Sequence, residues 1–399
     1  MRVCMLAYSF YDADNRVRRY AEALVRRGDQ VDAVAIGQPG QPAFEVIEGV
    51  RLFRLQSRTR DEGGPFSYLI KLILFFIRSA WFLTWRQFKQ PYDVIHVHNL
   101  PDFEVFAALV PRLMGARVIL DMHEITPEFY ASKFHISERS LVIRTLALIE
   151  KLSIAFAHHV IVVNHMVAEA VLGRRSVRPQ KCTTIINYPN AQMFYPRARA
   201  KGAEPETVGD FIMCYPGTLN RHQGVDVAIE AVALLRDRAP GLKFLIIGDG
   251  AERESLERLI VERRLEDRVT LKGTIPLNDV AETMARIDLG VVPKRKDGFG
   301  DIAFSTKIME FLAMGVPVVA SRTRIDEYYF NDRLLEFFES GNARDLAEKI
   351  LHLMEQPDRR AEMRQAGLEF VTANNWNAKQ EEYFELLDRL TGKARAVAV

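Results

Sequence analysis

The sequence predicts an α/β protein made of two domains, each a doubly wound parallel sheet. Short apolar runs alternate with amphipathic stretches along all 399 residues. That length is too great for one ordinary hydrophobic core and suits two. Strands that are buried on both faces and linked by helices form parallel sheets with right-handed crossovers. The composition, 48% hydrophobic and 27% charged, is that of a soluble globular protein.

Ten segments are predicted strands, five in each half. They are RVCMLAYS, QVDAVAIG, DVIHVHN, RVILDMH and HVIVVN, then FIMCYPG, KFLIIGDG, RVTLKG, LGVVP and PVVAS. Helical patterns such as RVRRYAEALVRRG lie between them, each ending near a Gly or Pro. The apolar start of the chain is too short for a signal peptide, and we interpret it as the first strand.

A polar segment divides the chain. Residues 196–210 have no apolar periodicity and are rich in Pro, Gly and charge, which predicts a linker. It separates an N-terminal domain, residues 1–195, from a C-terminal domain, residues 211–375. The final amphipathic helix, residues 376–399, carries aromatic residues that predict docking on another surface.

The charge balance differs between the two halves. Residues 1–200 carry 26 Lys and Arg against 18 Asp and Glu, and residues 201–399 carry 28 against 34. The basic half indicates contact with an anionic surface or, alternatively, scattered solvated charge. The three cysteines, Cys4, Cys182 and Cys214, form neither a disulfide framework nor a CxxC metal site, which favours a reducing cytosolic setting.

The segment with the strongest chemical signal is residues 291–321, which predicts strand, polar loop, helix and strand. The helix begins at Ser305-Thr306-Lys307, at the carboxyl edge of a parallel sheet. Free amide groups and the positive end of the helix dipole make that position an anion site. Glu310 lies three residues after Lys307 on the same helix face, where a carboxylate suits a ribose diol. A capped helix with a solvated Glu310 is the alternative.

Two glycine turns follow strands of the second half. Gly217 begins GTLNRHQG, where backbone amides would meet a phosphate. Gly248-Asp249-Gly250 invites a dinucleotide interpretation, but Arg253 stands where the GxGxxG fingerprint needs its third Gly. An NAD-dependent enzyme is therefore disfavoured.

Polar residues end two strands of the first half. His96 and His98 end one strand, and Asp121, His123 and Glu124 end the next. We expect His96 to be a packed core histidine and His123, flanked by two acids, to be functional. The five residues lack the HExxH spacing of a zinc hydrolase, so no metal is expected.

The longest apolar stretch, residues 66–88, contains three basic residues, which disfavour a transmembrane span. With the next basic residue they fall on an arc of roughly 80° beside two tryptophans. The residues of this pattern are Lys71, Arg78, Arg86, Lys89, Trp81 and Trp85. They predict a helix that lies in a membrane interface, with a core helix that snorkels its basic groups as the alternative.

Taken in order, these motifs resemble glycosyltransferase family 4, whose GT-B fold has two Rossmann-like domains with the active site in the cleft between them. The resemblance spans nearly the whole chain. It rests on YSFYDADNRVRRYAEALVRRG, HVHNLPD, ILDMHE, YPGTLNRHQGVDVAIEA, LIIGDGAERESLE and, most specifically, STKIMEFLAMGVPVVAS. It implies retaining hexosyl transfer from a nucleotide-diphosphate sugar, without a metal or other cofactor. It also implies that the Trp376 helix packs back on the first domain.

The resemblance implies a role for each site residue. The donor would be bound by Gly217, Thr218, Asn220, Arg221, Gln223, Lys294, Ser305, Thr306, Lys307 and Glu310. The acceptor would be bound by Asp14, Asn15, Arg16, His98 and Glu124. The catalytic set would be His123, Asp301 and Lys307. Because Thr218 and Gln223 replace the family's usual Arg and Lys, the diphosphate charge would be met by Arg221, Lys294 and Lys307.

One departure from the family pattern leaves alternatives open. Glu310 matches the second Glu of the family's E-x7-E motif, but the first falls on Ile302, and the neighbouring Asp301 is its candidate replacement. A catalytically silent binding or scaffold protein of the same fold is one alternative. A nucleotide-sugar epimerase is the other.

Family members of this subtype often act on lipid-linked saccharides at the inner face of a bacterial membrane. The expected partners are therefore a nucleotide sugar, a saccharide or lipid-linked acceptor, and an anionic membrane. No nucleic acid is expected. The expected location is the cytoplasm, at the inner face of the membrane, and the expected process is the synthesis of surface polysaccharide.

Overall fold

A computed structural model gives the fold. It describes residues 1–58, 65–99, 101–123, 125–127, 130, 137, 139–175, 177–197, 210–298 and 300–393. The chain forms two compact units, Met1–Asn187 with Gln380–Val399, and Tyr188–Lys379. The division falls after residue 187 rather than at the predicted 195, because Tyr188 and Phe194 pack in the core of the second unit. Most of the predicted linker, residues 198–209, lies outside the described residues.

The first unit is built on a sheet of eight strands. They are β1 (Arg2–Phe10), β2 (Gln30–Gly37), β3 (Phe44–Ile47), β4 (Val50–Ser57), β5 (Val94–His98), β6 (Arg117–Met122), β7 (His159–Val162) and β8 (Cys182–Thr184). Their order is β3-β4-β2-β1-β5-β6-β7-β8. All pairings are parallel except that of the edge strand β3 with β4. The predicted parallel sheet thus carries one antiparallel strand.

Helices cover both faces of this sheet. They are α1 (Asn15–Arg26), α2 (Pro65–Lys89), α3 (Leu109–Leu113), α4 (Leu141–Phe156) and α5 (His165–Arg175). The chain steps from β1 through β2 to β4 in one direction and returns through β5, β6 and β7 in the other. Right-handed crossovers therefore place α1 on one face and α2, α3 and α4 on the opposite face.

The second unit is built on a parallel sheet of six strands. They are β9 (Phe211–Pro216), β10 (Leu242–Ile247), β11 (Val269–Leu271), β12 (Leu289–Val292), β13 (Val318–Ser321) and β14 (Glu336–Phe338), in the order β11-β10-β9-β12-β13-β14. Its helices are α6 (Val225–Leu234), α7 (Arg253–Glu262), α8 (Leu277–Met284), α9 (Thr306–Met314), α10 (Arg324–Tyr329), α11 (Ala343–Glu355) and α12 (Pro357–Ala373). The strand order reverses between β9 and β12, and ligands of open α/β sheets bind at such switch points.

The last helix, α13 (Trp376–Thr391), begins in the second unit and joins the first unit from Gln380 onward. There Asp388 pairs with Arg27 of α1 at 3.0 Å. The ring of Tyr383 packs 4.5 Å from that of Tyr20, also on α1. This part of α13 therefore lies on the same face of the first sheet as α1.

Helix α9 forms one residue later than predicted, at Thr306. Ile308, Phe311 and Leu312 are buried, so one side of the helix is held by the core of the second unit. Gly315 ends the helix with φ of 68°, a left-handed conformation that favours glycine. Packing and this stop signal fix the position of the first turn of α9.

Candidate active site

The second unit contains a pocket of about 400 Å³ at the carboxyl edge of its sheet. It is lined by Pro216, Gly217, Thr218, Ile247, Gly248, Asp249, Thr274, Ile275, Leu277, Val280, Thr306, Lys307 and Glu310. These residues belong to the turns after β9 and β10, to the segment from β11 into α8, and to the start of α9. Pockets of this size, with apolar walls and a few polar groups, suit small molecules and cofactors.

Two glycines allow the turns of this pocket to approach α9 and each other. Gly217 has φ of 151°, and a Cβ there would lie 2.1 Å from Cε of Lys307. Gly248 has φ of 145°, and a Cβ there would lie 1.8 Å from the carbonyl oxygen of Gly217. Only residues without a side chain permit both contacts. The two turns and the start of α9 therefore present their backbone groups to one pocket.

Lys307 supplies a positive charge to the pocket. Its Nζ donates to Oε1 of Gln223 at 3.3 Å and lies 5.3 Å from the ring centroid of Tyr215. Burial is the main cause that lowers the pKa of Lys307 to about 8, while Glu310 opposes the shift. No carboxylate of the described residues forms an ion pair with Lys307. The ammonium group is thus partly desolvated and able to meet an anion.

Glu310 lies on the same helix and lines the same pocket. Burial raises the pKa of Glu310 to about 7, and the charge of Lys307 opposes this rise. About half of the Glu310 carboxyl groups are therefore protonated near neutral pH, and a protonated carboxyl group can both donate and accept hydrogen bonds. Glu310 therefore suits the hydroxyl groups of a ribose better than the negative charge of a phosphate.

The remaining predicted donor residues do not line this pocket. Asn220 is half-buried, Arg221 is exposed and Ser305 is buried. Lys294 is 3% exposed, donates to the carbonyl of Ala303 at 2.7 Å and pairs with the buried Asp326 at 3.0 Å. The charge of Lys294 is already matched inside the unit, where it holds the loop before α9. A direct contact of Lys294 with a diphosphate stays a prediction.

Asp301 stands beside the missing first Glu of the family motif. Its Oδ1 accepts a hydrogen bond from the backbone N–H of Arg324 at 2.7 Å, and its carbonyl accepts one from Ile325 at 3.1 Å. These bonds satisfy backbone donors at the start of α10. The carboxylate of Asp301 is thus engaged locally, and its role toward a donor sugar stays a prediction.

In the first unit a buried ion pair joins α1 to the end of β6. Nε and Nη2 of Arg16 donate to the two carboxylate oxygens of Asp121, each at 2.8 Å, and Nη1 donates to the carbonyl of Ile185 at 3.0 Å. Arg16 is 4% exposed and Asp121 is fully buried. Burial favours a higher pKa for Asp121, but Arg16 and His123 hold it well below its usual range. Arg16 therefore positions the carboxylate of Asp121.

Three histidines surround Asp121. Nitrogens of His96, His98 and His123 lie 3.7, 3.3 and 3.5 Å from its Oδ2. Nδ1 of His98 also lies 3.2 Å from Nε2 of His123. His96 and His98 are buried, and burial lowers the pKa of His98 to about 3, so that its ring is neutral. Among these three rings, that of His123 is the accessible one.

The start of α1 adds polar groups next to this cluster. Oδ1 of Asp14 accepts from the backbone N–H groups of Arg16 and Val17 at 3.2 and 3.1 Å. Burial favours a higher pKa for Asp14, but His123 and the other nearby donors outweigh it and lower the pKa. Asn15 is exposed. Contact of Asp14 and Asn15 with an acceptor and the catalytic role of His123 stay predictions, and Glu124 lies outside the described residues. Arg16 and His98, also predicted to contact the acceptor, are only 4% and 2% exposed and face Asp121.

The same cluster contains side chains of the types that bind metals. His96, His98 and Asp121 offer donor atoms within 4.8 Å of one another. Both carboxylate oxygens of Asp121 already accept from Arg16, however, and the guanidinium charge would repel a cation. A metal-independent reaction remains our prediction, which addition of a chelator tests.

The structure corrects the place of Arg86 in the predicted basic stripe on α2. Nη2 of Arg86 pairs with the buried Asp32 at 2.9 Å, and its guanidinium lies 4.9 Å from the ring centroid of Phe53. Arg78 donates to the carbonyl of Leu55 at 3.1 Å. Arg86 points into the domain because Asp32 is buried and needs positive partners. These two arginines bind α2 to the domain, and Arg86 does not face outward.

Sequence reasoning missed part of the pocket lining. The segment TIPLNDV after β11 contributes Thr274, Ile275, Leu277 and Val280, and the turn after β10 contributes Asp249. One signal was present, since parallel strands end at one edge and β11 pairs with β10. An apolar loop at that edge indicates a wall for a flat, apolar ligand group.

Two doubly wound sheets, with a nucleotide-sized pocket at the switch point of the second, define the class of GT-B glycosyltransferases. Residues 13–187 match the family model described as "Glycosyl transferase 4-like domain". Residues 196–370 match the model "Glycosyl transferases group 1". The chain belongs to glycosyltransferase family 4.

Individual proteins agree with this assignment. The chain is 28% identical over 210 residues to a D-inositol 3-phosphate glycosyltransferase of Pseudarthrobacter chlorophenolicus, which is 50% of this chain and 49% of that protein. The chain thus spans about half the length of the curated relatives it matches. It resembles in fold a sucrose-phosphate synthase from Thermosynechococcus elongatus, with TM-score 0.79, 24% identity and coverage of 99% and 100% of the two chains. Anabaena HepE in complex with UDP-glucose has TM-score 0.70, 16% identity and coverage of 97% and 99%.

Proposed function

We propose that this protein transfers a sugar, with retention, from a nucleoside-diphosphate sugar to a saccharide or lipid-linked saccharide. The observation that carries the proposal is the pocket at the start of α9, where Lys307, Glu310 and the Gly217 turn meet. Family membership supports the class of reaction. The complex of Anabaena HepE with UDP-glucose supports the class of donor.

The pocket is suited to a charged leaving group. As the bond to the sugar breaks, negative charge develops on the departing diphosphate. The ammonium of Lys307 and the free amides at the start of α9 favour that charge and are already in position. The apolar side chains Ile275 and Leu277 would contact the base, and Glu310 the ribose. Electrostatic stabilisation of the leaving group therefore supplies most of the proposed catalysis.

The first unit would bind the acceptor and orient its hydroxyl group. His123 is the accessible ring of a cluster whose other members are buried and fixed by Asp121. Asp14 caps α1 beside it and keeps a lowered pKa, so it stays ionised near neutral pH. An ionised carboxylate and an imidazole are both able to accept a hydrogen bond from an acceptor hydroxyl. These two residues are our candidates for orienting that hydroxyl.

A panel of nucleotide sugars tests the proposal. The full chain is incubated with UDP-, GDP- and ADP-sugars, with and without saccharide and lipid-linked acceptors, and the products are analysed by mass spectrometry and NMR. We expect an acceptor-dependent product whose anomeric configuration matches that of the donor. Conversion of the nucleotide sugar without any acceptor would instead support the epimerase. Binding without any conversion would support the silent scaffold.

We also propose that the first unit docks on the membrane surface from the cytoplasmic side, as expected for a lipid-linked acceptor. Fifteen of the twenty-two large apolar side chains that are exposed in the described part of the chain lie on α2, α3 with Met114, and α4. They are Leu69, Ile70, Ile73, Leu74, Ile77, Trp81, Trp85, Phe88, Leu109, Leu113, Met114, Leu141, Val142, Leu148 and Leu152. Apolar patches of this kind mark sites of interaction.

The position of these helices in the sheet supports one common face. Right-handed crossovers place α2, α3 and α4 on the same side of the first sheet. Helices α2 and α4 both pack against the segment Asp102–Ala108. Within the described residues, α1, on the opposite side, exposes none of the large apolar side chains. The apolar surface formed by α2, α3 and α4 therefore lies on one side of the unit.

Helix α2 has a buried and an exposed face. By length and composition alone, Ser67–Lys89 could cross a membrane, with mean hydropathy 1.4. Leu72, Phe75, Ser79 and Leu83 are nevertheless buried against the domain, at intervals of three or four residues. Trp81 is 74% exposed on the other side. One buried face and one exposed apolar face favour a helix that lies in the interface.

Replacing Trp81 and Phe88 with serine tests the docking proposal. These side chains are 74% and 71% exposed, so the change removes apolar contact area without opening a cavity in the core. We expect flotation with vesicles of phosphatidylglycerol and phosphatidylcholine to show binding at least tenfold weaker, since each buried aromatic contributes roughly 1.5–3 kcal/mol. The control is Val261→Ser, a change at an exposed apolar residue of the second unit. Equal binding by the double variant and the wild type would contradict the proposal.

A further inference from the structure

The end of the chain contributes a hydroxyl group to the histidine cluster of the first unit. Tyr383 of α13 is fully buried, and its OH lies 2.8 Å from Nδ1 of His96. Its ring packs against Tyr20 at 4.5 Å. His96 connects this contact to the cluster, because its other ring nitrogen faces Asp121 at 3.7 Å. Residues 287 positions apart are thus joined at one ring.

The surroundings of His96 determine which of its nitrogens carries the proton. Burial lowers the pKa of His96, so the neutral ring has a single N–H. Asp121 is held ionised by Arg16, and an ionised carboxylate only accepts hydrogen bonds. At 3.7 Å this carboxylate lies beyond hydrogen-bond distance of Nε2, so it favours the tautomer with the hydrogen on Nε2 but does not fix it alone. In that tautomer Nδ1 is unprotonated and accepts from the hydroxyl of Tyr383.

The ring of His96 is connected to the accessible histidine, His123, through His98. The ring of His96 stacks on that of His98, with centroids 4.3 Å apart and planes inclined by 20°. His98 in turn lies 3.2 Å from Nε2 of His123. If the proton of His96 moved to Nδ1, the lone pair of Nε2 would face the carboxylate of Asp121. That repulsion would shift the stacked rings and the position of His123.

We propose that Tyr383 is a positioning residue, whose hydroxyl, together with Asp121, fixes the tautomer of His96 and, through His98, the orientation of His123. The functional part of this inference rests on the proposed role of His123 toward the acceptor. The tautomer itself does not depend on that role. The last helix therefore acts on the acceptor side of the reaction and not only on the stability of the fold.

NMR of protein labelled with ¹⁵N-histidine tests the tautomer directly. In the wild type, the His96 signals are expected to show a protonated Nε2 and an unprotonated Nδ1. In Tyr383→Phe, which removes only the hydroxyl, we expect a mixture of the two tautomers. The matched control is Tyr20→Phe, which removes a hydroxyl from the neighbouring ring and leaves the His96 pattern unchanged. A protonated Nδ1 in the wild type, or the same change in both variants, would overturn the proposal.

Kinetics of the same variants test the positioning role. Tyr383→Phe is expected to lower kcat about fivefold, the loss of one ordinary hydrogen bond, with the KM for the nucleotide sugar unchanged. Tyr20→Phe is expected to keep the wild-type kcat. A KM for the donor that rises in place of a lower kcat would overturn the role. If the wild type transfers no sugar at all, the proposed function fails, while the tautomer assignment is still decided by the NMR pattern.

Discussion

Lys307→Ala lowers kcat/KM for the nucleotide sugar about 10²-fold or more, which corresponds to roughly 2.7–4 kcal/mol of lost transition-state stabilisation. The reason is that Lys307 lines the pocket, is partly desolvated and has no carboxylate partner among the residues that the structure describes. Its charge is available to the departing diphosphate. Steady-state kinetics of the folded variant measure the effect.

The pH dependence of nucleotide binding identifies the charge as the cause. The pKa of Lys307 is lowered to about 8, so its positive charge is present below that pH and is lost as the pH rises through it. Affinity of the wild type for a nucleoside diphosphate is expected to fall over that range. Lys307→Ala is expected to lack this step and to keep only the fall that the ionisation of Glu310, with a pKa of about 7, causes. The control is Lys243→Ala, since Lys243 bonds to the carbonyl of Asp267 and does not line the pocket. Unchanged turnover in Lys307→Ala would reject the assignment.

Asp121→Ala destabilises the first unit by about 3–5 kcal/mol, the usual cost of leaving one partner of a buried ion pair alone. Arg16 is 4% exposed and would keep its charge without the two hydrogen bonds from which it now benefits. Urea unfolding, followed by a probe in the first unit, measures the loss. The double variant Arg16→Met/Asp121→Leu is expected to be more stable than Asp121→Ala, because it leaves no buried charge. A double variant as unstable as the single one would contradict this account.

The Arg16–Asp121 ion pair also predicts how the stability of the protein changes at acidic pH. The pKa of Asp121 is lowered in the folded protein, so its contribution to stability is present above the unfolded value of about 4 and is lost as the pH falls toward the folded value. The wild type therefore loses this contribution on acidification. Asp121→Ala, which has no such carboxyl group, loses correspondingly less.

The sequence was sufficient for the features that are set locally. The predicted strands β1, β2, β5, β6, β7 and β9 to β13 are short apolar runs, and α9 has a clear start and a glycine stop. β4 was missed because it alternates buried residues with half-exposed ones such as Arg51 and is buried on one side only. β14 was missed because it has three residues, Glu336–Phe338, too few for a periodic signal.

The parts of the candidate site that were not predictable depend on distant residues. Arg16 and Asp121 are 105 positions apart, and no local sequence pattern around either residue indicates that they pair. Arg86 was assigned to a membrane stripe because helical geometry places it there, but Asp32, 54 positions away, attracts it inward. Tyr383 and His96 likewise meet only after folding. Local patterns predicted which edge of each sheet carries a candidate site. Tertiary contacts decided which side chains at that edge are able to contact a ligand.

The structure of the full chain bound to a nucleoside diphosphate tests the central claim most directly. The ligand is chosen from UDP, GDP and ADP as the one that raises thermal stability most, since a ligand that binds only the folded state stabilises it. The account predicts the diphosphate within hydrogen-bond distance of Thr306 and Lys307, and the ribose hydroxyls against Glu310. A nucleotide bound outside this pocket, or a ribose without any contact to Glu310, would contradict it.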